Sequence, residues 1–208
     1  MTSEYADSRR QRRSRTVLLV VLALFVAPVA IAWLLFFVFP GWIPDSTTNN
    51  GDLVKPARPL PTFELATQGD EPVDETFLRG KWTFVYLHAG ECESDCVDQL
   101  YKIRQLRLAQ GKDIDRLQRL MLWQAEGVDA EARTAVQAHF PGQLIAFLAG
   151  SPPELVSAFQ PMAGEDLEAG RIFLVDPLGN LMMSYPPDAE PRGIIKDLHR
   201  LLKYSGLG

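Results

Sequence analysis

The chemistry open to this 208-residue chain starts at its two cysteines, Cys92 and Cys96, in the stretch Cys92-Glu93-Ser94-Asp95-Cys96. In a helix, residues i and i+4 share a face. Two thiols so placed can close a disulfide, or clamp a soft cation such as Cu(I) between two thiolates. No third cysteine competes for either. The spacing departs from the C-x-x-C of thioredoxin-type enzymes. Two unconnected thiols, one in a loop and one at a helix start, are the plain alternative.

Three histidines accompany them. His88 precedes Cys92 by four residues and is the candidate third metal ligand, giving Cu(I) two sulfurs and one nitrogen. Its alternative is a strand-end imidazole bonded to nearby backbone. His139 reads as a helix-terminal residue favoured by the dipole, and His199 as solvated. Glu91, Glu93, Asp95 and Asp98 crowd the cysteines. Like charges oppose a thiolate, whereas a helix N-terminus at Cys96 favours one. The same acids either draw in a cation or a basic partner or simply complement the helix dipole. No Ser-His-Asp set, phosphate loop or zinc spacing occurs.

The elements that must position these residues alternate between strand and helix patterns. Thr62–Thr67 is a short strand candidate. Trp82–Leu87 is a continuous apolar run, as a buried strand requires. From Asp95, the residues Val97, Leu100, Tyr101, Ile103, Leu106 and Leu108 follow a mostly helical period that stops at Gly111. Leu117–Trp123 predicts the next strand, and Asp129 caps a helix over Ala130–His139. A strand over Leu144–Leu148 and a helix start at Ser151-Pro152-Pro153-Glu154 follow. Ile172–Val175 and Leu181–Tyr185 flank the turn Asp176–Asn180. Pro191 opens a last amphipathic helix with Ile194, Ile195, Leu198, Leu201 and Leu202 on one face. This order predicts an α/β fold with a mixed sheet and flanking helices, the cysteines lying at the carboxyl end of a central strand.

Four regions follow: an Arg-rich arm at 1–16, a transmembrane helix at 17–39, a Pro-rich linker at 40–61 and a globular domain at 62–208. Val17 to Phe39 is uncharged and apolar. As a helix it would span roughly 34 Å, against a hydrocarbon core of about 30 Å. Arg9, Arg10, Arg12, Arg13 and Arg15 precede it, and no basic residue follows before Lys55. The positive-inside rule therefore predicts a single-pass anchor with a cytoplasmic N-terminus and the domain outside, a cleaved signal peptide being the alternative. In residues 1–16 the five arginines against Glu4 and Asp7 leave +3, so with −5 overall the remainder carries −8. That acidity excludes nucleic acid as a partner; the basic arm suits anionic lipid of the inner membrane.

With its single span, its central strand running into C-x3-C, the turn at Asp176-Pro177-Leu178-Gly179 and its terminal helix, the chain resembles the SCO/SenC family from about Pro59 onward. These are membrane-anchored, thioredoxin-like proteins that help assemble the copper centre of cytochrome c oxidase. The resemblance implies a thioredoxin-like fold in a bacterial periplasmic domain and a membrane-bound oxidase subunit as partner. It also implies that Cys92 and Cys96 cycle between dithiol and disulfide and handle Cu(I). The family's histidine ligand has no counterpart in Asp166–Arg171, where Glu168 stands closest to the expected place. The Cys-Pro flank and a proline before Ile172 are absent as well. The chain is thus expected to be a divergent member that binds copper weakly and acts as a thiol-disulfide oxidoreductase. The rival expectation is a non-catalytic, tethered scaffold with a structural disulfide.

Overall fold

The computed structural model describes residues 3–38, 49–69, 71–160 and 170–205. It divides into two units, Met1–Thr47 and Thr48–Gly208. The first unit is helix α1, Ser3–Phe37, which holds Pro28 inside it. Its Arg15–Phe37 part is the one helix among the described residues long and apolar enough to cross a membrane. The expected end of the span at Phe39 lies outside the described residues.

The second unit is built on a six-stranded mixed sheet. Its strands are β1 (Asp52–Pro59), β4 (Trp82–Ala89), β5 (Leu117–Gln124), β6 (Leu144–Phe147), β7 (Ile172–Val175) and β8 (Asn180–Tyr185), in the order β1-β8-β7-β4-β5-β6. β4, β5 and β6 run parallel, and β7, β8 and β1 are added antiparallel. A separate short pair joins β2 (Glu64–Leu65) and β3 (Val73–Asp74). Of the strand expected over Thr62–Thr67, this dipeptide pairs with β3, and Thr67 makes an isolated antiparallel bridge with Ala146 of β6.

Strand alternation divides the core. Phe84 and Tyr86 of β4 face one cluster with Met121, Trp123, Leu100, Ile103, Ile194 and Leu198. That cluster is covered by helices α2 (Ser94–Leu108) and α5 (Pro191–Tyr204), with Ala132 and Val136 of α3 (Ala130–His139) packed at its margin. Val85 and Leu87 face the other cluster, closed by Leu155 of α4 (Pro153–Ser157), Phe159, Leu65 and Leu78.

The linker reading of 40–61 needs correction from Asp52 to Pro59, while 40–48 lie outside the described residues. From Asp52 the chain is an edge strand paired with β8, irregular between Leu53 and Arg58. Pro56 falls in that irregular stretch, and an edge position tolerates prolines because one side of the strand needs no ladder partner. The strand's start is also anchored. Asp197, 1% exposed, accepts from the Asn50 backbone N–H at 2.8 Å, the Asn50 side-chain amide at 2.9 Å and the Gly51 N–H at 3.1 Å.

Candidate functional site

β4 is buried from Trp82 to Leu87 and emerges at His88. Since successive side chains alternate, His88 lies on the face of Tyr86, the face that α2 covers. Its ring stacks on Tyr86 with centroids 5.9 Å apart, and Trp123, its neighbour across the parallel ladder, lies 6.5 Å away. Gly90 then turns the chain out of the sheet with φ +74, a conformation costly for any residue with a Cβ. Two hydrogen bonds hold that turn: the Gly90 N–H donates to the Gln124 carbonyl at 3.0 Å, and the Trp123 indole N–H donates to the Gly90 carbonyl at 2.8 Å.

The two cysteines do not share a helical face, as the spacing had suggested. Cys92 precedes the helix, Glu93 is the N-cap with extended backbone, and α2 starts at Ser94. Cys96 sits in the first turn, 1% exposed, while Cys92 is half-buried. They are joined as a disulfide with Cα atoms 5.1 Å apart. The bridge therefore ties the loop to the first helical turn.

His88, Cys92 and Cys96 form a group whose donor atoms all lie within 4.8 Å of one another. The His88 Nε2 lies 2.9 Å from the Glu91 carbonyl oxygen. A carbonyl only accepts, so Nε2 is the donor here, and in the neutral ring Nδ1 is then the nitrogen with the lone pair. The backbone bond expected of a strand-end histidine is thus present, and it also leaves one nitrogen basic, as for a metal-ligating histidine oriented by its other ring nitrogen. Two thiolates and an imidazole suit Cu(I), but only after reduction of the disulfide. Glu168 lies outside the described residues. His139 closes α3 against Phe140, and His199 is exposed on α5; neither joins the site.

The acids Glu91, Glu93, Asp95 and Asp98 are all exposed around the pair. Burial, reinforced by Asp95, pushes the Tyr86 phenol up to about 12. Beside Cys96 a groove of about 480 Å³ opens between α2 and the loop after β8. Gln99 and Asp188 help to line it, and neither stands in a sequence motif. Only their place in the fold brings them to the cysteines, although Gln99 lies one turn beyond Cys96 on α2. Gly90 and Trp123 were missed too; a glycine directly after a buried strand was their one visible signal.

Residues 82–205, from β4 to the end of α5, match the family described as transmembrane-like, thioredoxin-like, C-terminal domain. The chain belongs to this family. A search of curated protein sequences finds no match. Among solved structures, apo Sco1 from Thermus thermophilus is 21% identical, with 76% of this chain and 99% of that chain covered at a TM-score of 0.57. Yeast Sco1 with copper bound is 20% identical, covering 71% of this chain and 94% of its own, at 0.56. BsSco, a Sco-family cytochrome c oxidase assembly protein with a disulfide switch, is 14% identical, covering 72% and 96%, at 0.55. The neighbours of this fold are therefore Sco/SenC proteins, and at these identities the likeness is one of architecture.

Proposed function

We propose that the protein is a membrane-tethered assembly factor for cytochrome c oxidase. Cys92 and Cys96 exchange a disulfide with a membrane-bound oxidase subunit, and in the dithiol state hold Cu(I) as transient cargo with His88 as third ligand. The convergence of His88, Cys92 and Cys96 within 4.8 Å at the end of β4 carries this reading. The architecture shared with copper-bound yeast Sco1 and with BsSco supports it. α1 is the anchor of a single-pass protein of the bacterial inner membrane, with the Arg arm cytoplasmic and the domain periplasmic.

Cu(I) titration of the reduced protein against a chelating competitor tests the proposal. Wild type retains Cu(I) weakly, as two thiolates surrounded by acids and one neutral imidazole predict. His88→Ala lowers retention by about tenfold or more, the scale expected for losing one ligand or its support. Cys92→Ser abolishes both retention and exchange. Unchanged affinity in His88→Ala removes the histidine from the site.

The burial of Cys96 favours a second reading, a structural disulfide in a non-catalytic scaffold. The reduction potential separates the two. Structural disulfides lie below about −300 mV, and working ones are less negative.

A further inference from the structure

The groove beside Cys96 has walls of one charge. Asp95 and Asp98 come from α2, and Asp188 from the loop between β8 and α5. All three are exposed. No Lys or Arg is among the described residues that line the groove; Lys102, close by, donates its ammonium to the Pro187 carbonyl. Burial draws its pKa down, against the pull of Asp188 and Asp98. Three carboxylates against one ammonium leave the groove negative.

A second observation is independent of charge. Gln99 is 8% exposed, and its amide N–H₂ donates to the Pro187 carbonyl at 3.1 Å. Its Oε1 is buried and has no hydrogen-bond partner among the described residues. A buried amide oxygen left without a donor costs about 1–3 kcal/mol. Gln99 is part of the lining of the same groove, and its oxygen can be satisfied only by an N–H or O–H that comes to it. Carboxylates with an unpaired acceptor ask for a ligand rich in N–H donors and positive charge.

Resting on the dithiol reading above, we propose that this groove selects partner segments that carry lysine or arginine beside the cysteine they exchange. The segment lies along α2 with its N–H groups toward Gln99 and its cations toward Asp95, Asp98 and Asp188. Its disulfide is thereby brought to the reduced pair. The Cys92 thiolate attacks the segment's sulfur, and the thiolate bonded to that sulfur leaves. The Cys96 thiolate then attacks the Cys92 sulfur and expels the segment's thiolate. Two electrons pass from the protein dithiol to the segment's disulfide, and the two protons released go to the two departing thiolates. The acids thus direct partner choice, a role distinct from that of the cysteines.

Two short peptides of identical length test this. Each holds one cysteine as its mixed disulfide with 2-mercaptoethanol, flanked by lysines in one and by glutamates in the other. The reduced full chain in detergent is mixed with each, quenched by acid and followed by mass spectrometry. The lysine peptide is expected to react about tenfold faster or more at low salt, the scale of electrostatically steered encounters. The ratio shrinks toward one in 0.5 M NaCl and in Asp98→Asn/Asp188→Asn. Equal rates at low salt, with exchange still running through Cys92, overturn the inference alone. No exchange with either peptide overturns the dithiol reading, and the inference falls with it.

Discussion

Asp197 offers the sharpest test of how the domain is held together. Its carboxylate is 1% exposed and receives four donors: the Asn50 N–H at 2.8 Å, the Asn50 amide at 2.9 Å, the Gly51 N–H at 3.1 Å and the Tyr185 hydroxyl at 3.4 Å. In Asp197→Ala all four lose their acceptor. Asn50 is exposed and its groups can turn to water, but the Gly51 N–H and the Tyr185 hydroxyl are buried. Each stranded donor costs about 1–3 kcal/mol, and the total expected loss is about 3–5 kcal/mol. That is a large share of an ordinary domain stability of about 5–15 kcal/mol. It corresponds to a fall in Tm on the order of 10 °C.

Urea unfolding of the segment from Thr48 onward measures this loss. Trp82 and Trp123, 3% and 0% exposed, report it by fluorescence. Asn50→Ala is expected to show coupling to Asp197→Ala of about 1 kcal/mol or more in a double-mutant cycle, since they share the same bonds. A loss below about 1 kcal/mol in Asp197→Ala would refute the idea that this carboxylate pins the strand start to the terminal helix. Gly193 and Gly51 leave little slack for repair. A Cβ on Gly193 would meet Asn50 at 2.9 Å, and one on Gly51 would lie 2.9 Å from the Ser184 carbonyl.

Three further outcomes are expected. Burial raises the phenols of Tyr86, to about 12, and Tyr185, with Asp197 adding to the latter; both are neutral in the folded state where the unfolded chain ionises at about 10. Their contribution is complete below pH 10 and is lost as pH rises through the folded values, at about 1.4 kcal/mol per pH unit per group, so Tyr86→Phe should flatten the alkaline limb of a urea-stability profile. Arg119 is 5% exposed, bonds the Pro141 carbonyl at 2.8 Å, and has no partner for Nε or Nη1 among the described residues. Burial, with Arg107 and Arg104, lowers its pKa to about 10, so at pH 7 it is a charged group held at a cost; Arg119→Met should be neutral or gain about 1–3 kcal/mol, and a loss above about 1 kcal/mol in urea unfolding contradicts this. Protease added to the outer face of spheroplasts should digest the domain and spare the Arg arm, whereas a shortened soluble product would point to cleavage after the apolar segment.

The sheet's centre was legible because burial on both faces leaves a nearly continuous apolar and aromatic run, Trp82–Leu87. The edge was not legible. β1 pairs with β8 from the far end of the chain, and its prolines speak against a strand unless its edge position is already known. Asp197 reads in sequence as one more polar residue on an amphipathic helix. Its burial depends on Asn50, 147 positions away.

The candidate site divides along the same line. Residues near in sequence were found: the cysteines announce themselves by type, and His88 by its closeness to them. What spacing could not reveal is why a histidine on a strand meets cysteines in a loop and a helix. The period of β4 sets His88 on the α2 face, Gly90 reverses the chain at φ +74, and the Trp123 indole holds that turn from the neighbouring strand. The helical i, i+4 argument reached a correct closeness through an incorrect geometry, since Cys92 lies before the helix. The distinction bears on function. A cysteine outside the helix, on a loop tethered by Gly90 and His88, can change its distance from Cys96 when the disulfide opens, and α2 need not unwind. On the dithiol reading proposed above, reduction is expected to free the first sulfur while Cys96, buried in the first turn of α2, stays packed beneath the acidic groove.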